Sequence, residues 1–228
     1  MVPINSTRNT TQDARLLDAV RASEASTRLQ AALAIGSRRD PGHVEALVAR
    51  CAVEPDFFVR DMLTWALTRF PAEVTVPRLL AELGSGRSQA RSQALHTLSK
   101  IGDASAWSAI TPALLHDADD EVARSAWRAA VVLVPDGDRA RLAADLAGEL
   151  GRGDRAVRLS LSRALVALDD VVEPVLRAAL ASADPAVRAH ARATERLLLD
   201  PDAAFDPDVD EAIRVVALGP AAADGPAC

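Results

Sequence analysis

Aromatic residues are scarce in this sequence, which contains no tyrosine and in which aromatics make up only 3% of 228 residues. A core with so few large rings must be built mainly from alanine, leucine and valine. Small side chains let helices approach closely, and alanine and leucine are strong helix formers. Apolar residues nevertheless reach 49%, which is ordinary for a soluble globular protein. The composition therefore favours an all-α fold.

Lysine is almost missing, since Lys100 is the only one and the other basic residues are arginine. The formal net charge is −6 and the isoelectric point is about 5.3. Nucleic-acid-binding proteins usually carry a basic stripe and have a basic isoelectric point. The charge therefore disfavours a nucleic-acid partner. The arginine and alanine content is typical of a GC-rich bacterial genome.

Motifs that would indicate a cofactor or a metal are also missing. The two cysteines, Cys51 and Cys228, form neither a zinc-binding spacing nor a disulfide framework. A phosphate loop, a dinucleotide fingerprint and a nucleophile elbow are absent. The acidic run 116–121 lacks the glycine turn of a calcium loop, which favours a turn with a helix cap. We therefore expect no catalytic residues, no metal and no cofactor.

Long apolar runs are missing too, and none approaches the length of a membrane span. Residues 1–12 are polar and lack the apolar segment of a signal peptide. We therefore expect a cytoplasmic protein without a membrane partner, in which residues 1–12 form a flexible N-terminal segment.

What the sequence does contain is a repeat of about 32 residues. An arginine recurs near the start of six segments, with successive spacings of 32, 31, 33, 34 and 30 residues. We call these the anchor arginines: Arg28, Arg60, Arg91, Arg124, Arg158 and Arg188. The third residue after each anchor is apolar: Ala31, Leu63, Ala94, Trp127, Leu161 and Ala191. Together with positions −1 and +7, these residues trace one face of a helix, which we predict to be buried.

An acidic residue stands four positions before five of the anchors: Glu24, Asp56, Asp120, Asp154 and Asp184. Such a residue can cap the helix and can pair with the arginine four residues later. Because an exposed pair contributes only ~0.3–0.5 kcal/mol, packing of the apolar faces must hold the fold together. The charged residues are also expected to bridge successive repeats.

A second amphipathic helix is predicted between successive anchors, at residues 41–50, 73–83, 104–115, 138–150 and 171–180. Proline and glycine separate these outer helices from the inner helices that carry the anchors. A single pair of helices cannot bury its own apolar face. Stacked pairs make a continuous core, so the pattern predicts a helical repeat array.

A start pattern and an end pattern recur among the inner segments. The start is D-x-x-[VA]-R-x-x-[AL], and examples of the end are Ile35-Gly36-Ser37 and Ile101-Gly102-Asp103. These patterns resemble HEAT repeats of the bilin-lyase-like class. The resemblance covers residues 13–200. It implies an α-solenoid, a right-handed superhelix of about six helix pairs. A C-terminal capping helix is expected within residues 201–218, followed by a flexible tail at 219–228. The blocks 54–70 and 89–134 are also similar to HEAT modules that accompany MerR-type regulators in actinobacteria.

Inner helices of HEAT arrays line the concave face, so the resemblance places ligands against the inner-helix flank that is not used for packing. Positions +1, +4, +5 and +8 from the anchors form this flank, and they include Thr64, Ser92, Ser125 and Ser162. The candidate ligand-binding or partner-binding residues are Asp61, Trp65, His96, Arg128, Arg163 and Arg192. Three structural alternatives stay open: Trp65 packs between repeats, His96 makes an inter-repeat hydrogen bond, and the arginines form a solvated face.

The resemblance implies a non-enzymatic binding or scaffold module of a regulatory kind, which takes a protein or a small ligand in its groove. An alternative is an alkylpurine DNA glycosylase-like HEAT enzyme, because Asp61, Trp65, Arg128 and Arg163 could mimic the aromatic and acidic groups of that family. Salt-sensitive retention on heparin would support this alternative. A further alternative is a bilin-lyase-like chromophore carrier, which would keep its pigment through purification.

Overall fold

The computed structural model describes residues 4–201 and residue 205, with side chains from residue 12 onward. The predicted tail lies outside the described residues. So does the predicted C-terminal cap, apart from residues 201 and 205. The described residues contain α-helices and short 3-10 helices and no strand, so the prediction of an all-α fold is confirmed. None of the helices in this part of the chain has the length and apolar content needed to cross a bilayer.

The chain divides into two compact units, Met1–Ile110 and Thr111–Cys228. The α-helices of the first unit are α1 (Ile4–Val20), α2 (Ala25–Arg38), α3 (Val44–Cys51), α4 (Phe57–Leu67), α5 (Ala72–Glu82) and α6 (Ser88–Ile101). Helix α4 packs against α2, α3 and α6, while α5 packs against α3 and α6. The predicted inner helices α2, α4 and α6 are therefore successive neighbours.

The second unit repeats this arrangement. Its described α-helices are α7 (Pro112–Leu115), α8 (Asp120–Leu133), α9 (Arg139–Ala147), α10 (Arg155–Val166), α11 (Glu173–Leu180) and α12 (Pro185–Leu199). Helix α10 packs against α8, α9 and α12, and α11 packs against α9 and α12. Here too the inner helices α8, α10 and α12 are successive neighbours.

The predicted buried face is confirmed at its central position. The third residue after the anchor is buried in all six inner helices. The largest of these residues, Trp127, is fully buried and donates its indole N–H to the Leu115 carbonyl at 2.8 Å. At the edges of the face Val131 and Val187 are half-buried, and Glu195 is exposed. Packing of small and medium apolar side chains therefore forms the core of each unit.

Aspartate side chains cap four of the inner helices by accepting backbone N–H bonds. Asp56 accepts from the N–H of Val59, Asp119 from those of Glu121 and Val122, Asp154 from those of Ala156 and Val157, and Asp184 from that of Ala186. Asp120 does not cap α8, because Asp119 holds the extended cap position; Asp120 is the first helical residue, where its carboxylate favours the positive end of the helix. Glu24 stands at the cap position of α2 without a side-chain cap bond.

The anchor arginines hold the loops that precede their helices. In four repeats the guanidinium donates to carbonyl oxygens five or six residues earlier. These bonds join Arg28 to Ala22 and Ser23, Arg60 to Glu54 and Pro55, Arg91 to Ser85, and Arg188 to Ser182 and Ala183. The predicted pairs of Arg60 with Asp56 and of Arg188 with Asp184 are therefore wrong, because the arginines bind carbonyls and the aspartates bind N–H groups.

Two predicted segments differ from the structure by more than a few residues at their ends. Residues 104–115 form a 3-10 helix, Ala104–Ala109, and then the separate helix α7. Pro112 lacks an N–H group and holds Thr111 in an extended conformation, so one continuous helix cannot form. Residues 4–12, predicted to be flexible, belong to α1, which packs against α2 and α3 and ends at the buried residue Val20.

Candidate functional site

The six candidate residues divide between the two units. Asp61, Trp65 and His96 belong to the first unit, and Arg128, Arg163 and Arg192 belong to the second. The glycosylase-like set is likewise divided between the units: the first contains Asp61 and Trp65, and the second contains Arg128 and Arg163.

In the first unit Trp65 packs against a neighbouring helix and is also partly open to solvent. Its indole lies against Gly36 of α2, so closely that a Cβ atom on Gly36 would be 2.6 Å from Trp65 Cζ3. The side chain still keeps 37% of its surface exposed, and the Arg69 guanidinium lies 5.8 Å from the ring centroid. Asp61 lies one turn earlier on α4 and is exposed. Trp65 thus combines packing between repeats with an accessible face.

His96 lies on α6, which packs against α4, and it is half-buried. Two phenylalanines at the start of α4 are more exposed than Trp65: Phe57 at 66% and Phe58 at 70%. Their rings meet edge to face at 5.7 Å. This pair was not among the candidates from the sequence, although adjacent phenylalanines are noticeable in a chain with so few aromatics.

We expect Gly36→Ala to destabilise the protein by roughly 1–2 kcal/mol, although alanine normally favours a helix. The added methyl would meet Trp65 at 2.6 Å and the Ala66 Cα atom at 2.8 Å, so α2 and α4 must separate. Urea unfolding with tryptophan fluorescence measures the loss. Gly84→Ala is the matched control, because the nearest atom to its added methyl is 3.8 Å away. Equal stability of the two variants would contradict the close packing at Gly36.

In the second unit Arg163 lines a cavity of about 470 Å³. The lining residues are Arg155, Leu159, Arg163, Val166 and Ala167 from α10 and the turn that follows it, Leu197 from α12, and Pro201 and Phe205. Counted from the anchor Arg158, four of them occupy positions +1, +5, +8 and +9. The cavity therefore adjoins the flank of α10 at positions +1, +4, +5 and +8, which was predicted to bind ligands. Ligand pockets commonly occupy 300–1,000 Å³.

The walls of this cavity are mainly carbon. Leu159 and Val166 pack against a buried cluster formed by Ala193, Leu197 and Phe205. Arg155 closes one side by donating its Nε–H to the Phe205 carbonyl at 3.0 Å. The Arg163 guanidinium is exposed and makes no hydrogen bond or ion pair within the described part of the chain. The cavity thus offers an apolar surface together with guanidinium donors that no described residue occupies.

Arg128 and Arg192 do not line this cavity. Arg128 is exposed on α8 and donates to the Ser125 hydroxyl at 3.1 Å, while Arg192 is half-buried on α12. Four hydroxyl residues that we placed on the exposed flank are buried: Thr64, Ser92, Ser125 and Ser162. Position +4 adjoins the core position +3 and faces the next inner helix; Thr64, for example, lies 3.5 Å from Thr97 of α6.

A buried histidine network in the second unit was missed by sequence reasoning. His190 is completely buried, and its Nδ1 accepts a hydrogen bond from the Gly151 N–H at 3.0 Å. The proton is therefore on Nε2, which faces the Arg158 carbonyl at 2.9 Å and Ser162 Oγ at 3.0 Å. The pKa of His190 is lowered to about 4, mainly because the ring is buried; the bond to the Arg158 carbonyl opposes this lowering, and the nearby Arg158 charge adds to it.

This network is not a nucleophile and base pair. Thr194 donates its hydroxyl to the His190 carbonyl, so Ser162 donates to Thr194 at 2.6 Å. Because Nε2 already carries the proton, His190 cannot accept one from Ser162 at that nitrogen. Both side chains are also shielded from solvent. The arrangement joins α10 to α12 and to the loop at Gly151.

A second missed feature is the buried carboxylate of Glu54 in the first unit. Arg28 donates two bonds to it at 2.7 Å, and Arg50 donates one at 2.6 Å. Burial alone would raise its pKa, but the bonds from Arg28 and Arg50 outweigh this effect and lower the pKa to about 2. Arginine and glutamate occur throughout the sequence, so only the fold distinguishes this pair from a surface pair.

The acidic run 116–121 is used for caps and ion pairs. Asp119 caps α8, while Arg152 binds Asp120 at 2.8 Å and Glu149 at 2.7 Å. Charged bridges between repeats therefore exist: Asp120 is one of the acidic residues expected to form them, but its partner Arg152 is not an anchor arginine. Among the described residues, no group of three side chains is arranged to bind a metal ion. Burial raises the pKa of the Cys51 thiol to about 12, which keeps it protonated and unreactive.

No protein-family model and no curated protein sequence matches this chain. Among solved structures, it is similar to crystal structures of two engineered proteins from the Northeast Structural Genomics Consortium. One is 23% identical with a TM-score of 0.45, and the alignment covers 81% of this chain and 94% of that one. The other is 17% identical with a TM-score of 0.46, covering 81% and 97%. Likeness at this level assigns neither a family nor a function.

Proposed function

We propose that the chain is a HEAT-type α-solenoid in which the six anchor arginines open equivalent helices. Three local features support this equivalence: aspartate caps at four inner helices, arginine bonds to the preceding loop in four, and a buried residue at +3 in all six. Within each unit, consecutive inner helices also pack on each other. Repetition of local geometry is what a stacked array requires.

The proposed function is non-enzymatic binding of a small ligand on the inner-helix flank. The observation that carries this proposal is the cavity beside α10, whose carbon walls meet the guanidinium of Arg163, which has no side-chain partner among residues 12–201 and 205. Small-molecule sites are typically concave and mostly apolar, with a few polar groups that orient the ligand. A regulatory or scaffolding role would follow if ligand binding changed how the array meets a protein partner.

We expect the neutral fluorophore N-phenyl-1-naphthylamine to bind the full chain saturably, with one molecule per chain, because the cavity walls are apolar. Leu159→Trp should weaken binding at least tenfold by filling the space. Val132→Trp is the control, since Val132 lies on α8, is 53% exposed and does not line the cavity. Fluorescence titration measures both. If the folded wild-type chain does not bind the probe, or Leu159→Trp binds it equally well, the proposed site is wrong.

A further inference from the structure

The charge around the α10 cavity is opposite in sign to the charge of the chain. The formal net charge of the protein is −6. Among the described residues that line the cavity, two are arginines and none is acidic. The cavity surface is therefore locally cationic, so an anionic group is attracted there and a cationic one is repelled.

The two arginines play different parts. Arg155 uses its Nε–H to hold the Phe205 carbonyl, so it helps to form the wall. Arg163 lies two helical turns further along α10, and its donors have no partner in the described part of the chain. The planar fork of a guanidinium matches a carboxylate, which it can bind with two parallel hydrogen bonds. Arg163 is therefore the group that would receive an anionic headgroup.

The rest of the cavity defines the remainder of the ligand. Leu159, Val166, Leu197 and Phe205 present carbon surface next to Arg163. Apolar area removed from water contributes roughly 25 cal/mol per Å². A fully polar anion would leave this surface unused, whereas an apolar chain or ring would cover it. The ligand should therefore be apolar at one end and negatively charged at the other.

We propose that this cavity binds an apolar monocarboxylate, with the carboxylate on Arg163 and the hydrocarbon part against Leu159, Leu197 and Phe205. The proposal rests on the proposed function, because it names the ligand class of the same site. It goes further by stating that the site distinguishes an anionic headgroup from a neutral one of the same chain length.

The experiment is displacement of bound N-phenyl-1-naphthylamine from the full chain at pH 7.5 by decanoate or by 1-decanol. Wild-type protein should prefer decanoate by about tenfold or more, because only the carboxylate pairs with Arg163. Arg163→Gln should remove this preference and leave the affinity for 1-decanol unchanged. Arg177→Gln is the charge-matched control, since Arg177 is exposed on α11 and does not line the cavity. It should keep the preference.

Equal displacement by decanoate and 1-decanol would overturn the carboxylate assignment while leaving an apolar binding site in place. The same conclusion follows if Arg163→Gln and Arg177→Gln reduce the preference equally, because that result indicates a general charge effect. Absence of probe binding in the first place would instead refute the proposed function. The two failures are therefore distinguishable.

Discussion

Glu54→Gln is expected to lower the free energy of unfolding by about 3–5 kcal/mol, the largest effect of any single substitution considered for this protein. The wild-type carboxylate is completely buried and accepts bonds from Arg28, Arg50 and the Asp56 N–H. Glutamine has nearly the same volume, so no cavity forms. It removes the negative charge and leaves the Arg28 guanidinium buried and only partly compensated.

The backbone contacts of Glu54 make this substitution a clean test of the carboxylate. The Glu54 carbonyl accepts bonds from Arg60 at 3.0 Å and from Gln89 at 2.8 Å, and both remain possible in the variant. The loss can therefore be attributed to the side chain that joins α2, α3 and the start of α4.

Urea unfolding of the full chain measures this effect, with Glu45→Gln as the matched control. Glu45 pairs with Arg78 at 3.4 Å, but both side chains are more than 60% exposed. An exposed pair contributes at most about 1 kcal/mol, so the control should stay close to wild type. If Glu54→Gln loses no more stability than Glu45→Gln, the buried pair does not have the role described here.

The inner helices could be predicted from the sequence because their signals are local. An acidic residue before five of the six anchors, and apolar residues at −1 and +3, all lie within one or two helical turns of the anchor arginine. Around the anchor Arg158, for example, helix α10 begins directly after the predicted acidic residue Asp154. The prediction of one helix at 104–115 was wrong because Pro112 restricts its own backbone and that of Thr111. This restriction outweighs the apolar pattern, which favours a helix.

The site was predictable only in part, because a helical pattern gives the direction of a side chain but not what faces it. Arg163 was predicted as a flank residue and lines the cavity, but Pro201 and Phe205, which complete that cavity, were not among the candidate residues. Thr64 and Ser162 were placed on the open flank, yet the next inner helix covers them. Glu54 and His190 owe their roles to contacts 26 and 39 residues away in the sequence.

Acidification from pH 6.5 to pH 4 is expected to cost the protein roughly 3 kcal/mol through His190 alone. Its pKa is about 4 in the folded chain, against 6.5 for an unperturbed histidine. Between these values the unfolded chain binds a proton that the folded chain does not, so lower pH favours unfolding. The contribution is complete above pH 6.5 and is lost as the pH falls to 4.

The effect of His190 can be separated from that of Glu54 by its pH range. The pKa of Glu54 is lowered to about 2 from an ordinary 4.5, so its contribution is present above pH 4.5 and is lost mainly between 4.5 and 2. His190→Gln removes the titrating ring but keeps an acceptor for Gly151 N–H and a donor for the Arg158 carbonyl. The stability difference between wild type and His190→Gln, measured by urea unfolding, should therefore shift by about 3 kcal/mol in favour of the variant from pH 7 to pH 4. A difference that stays constant with pH would show that His190 is not held neutral by burial, because a titrating group absent from one protein must change their relative stability.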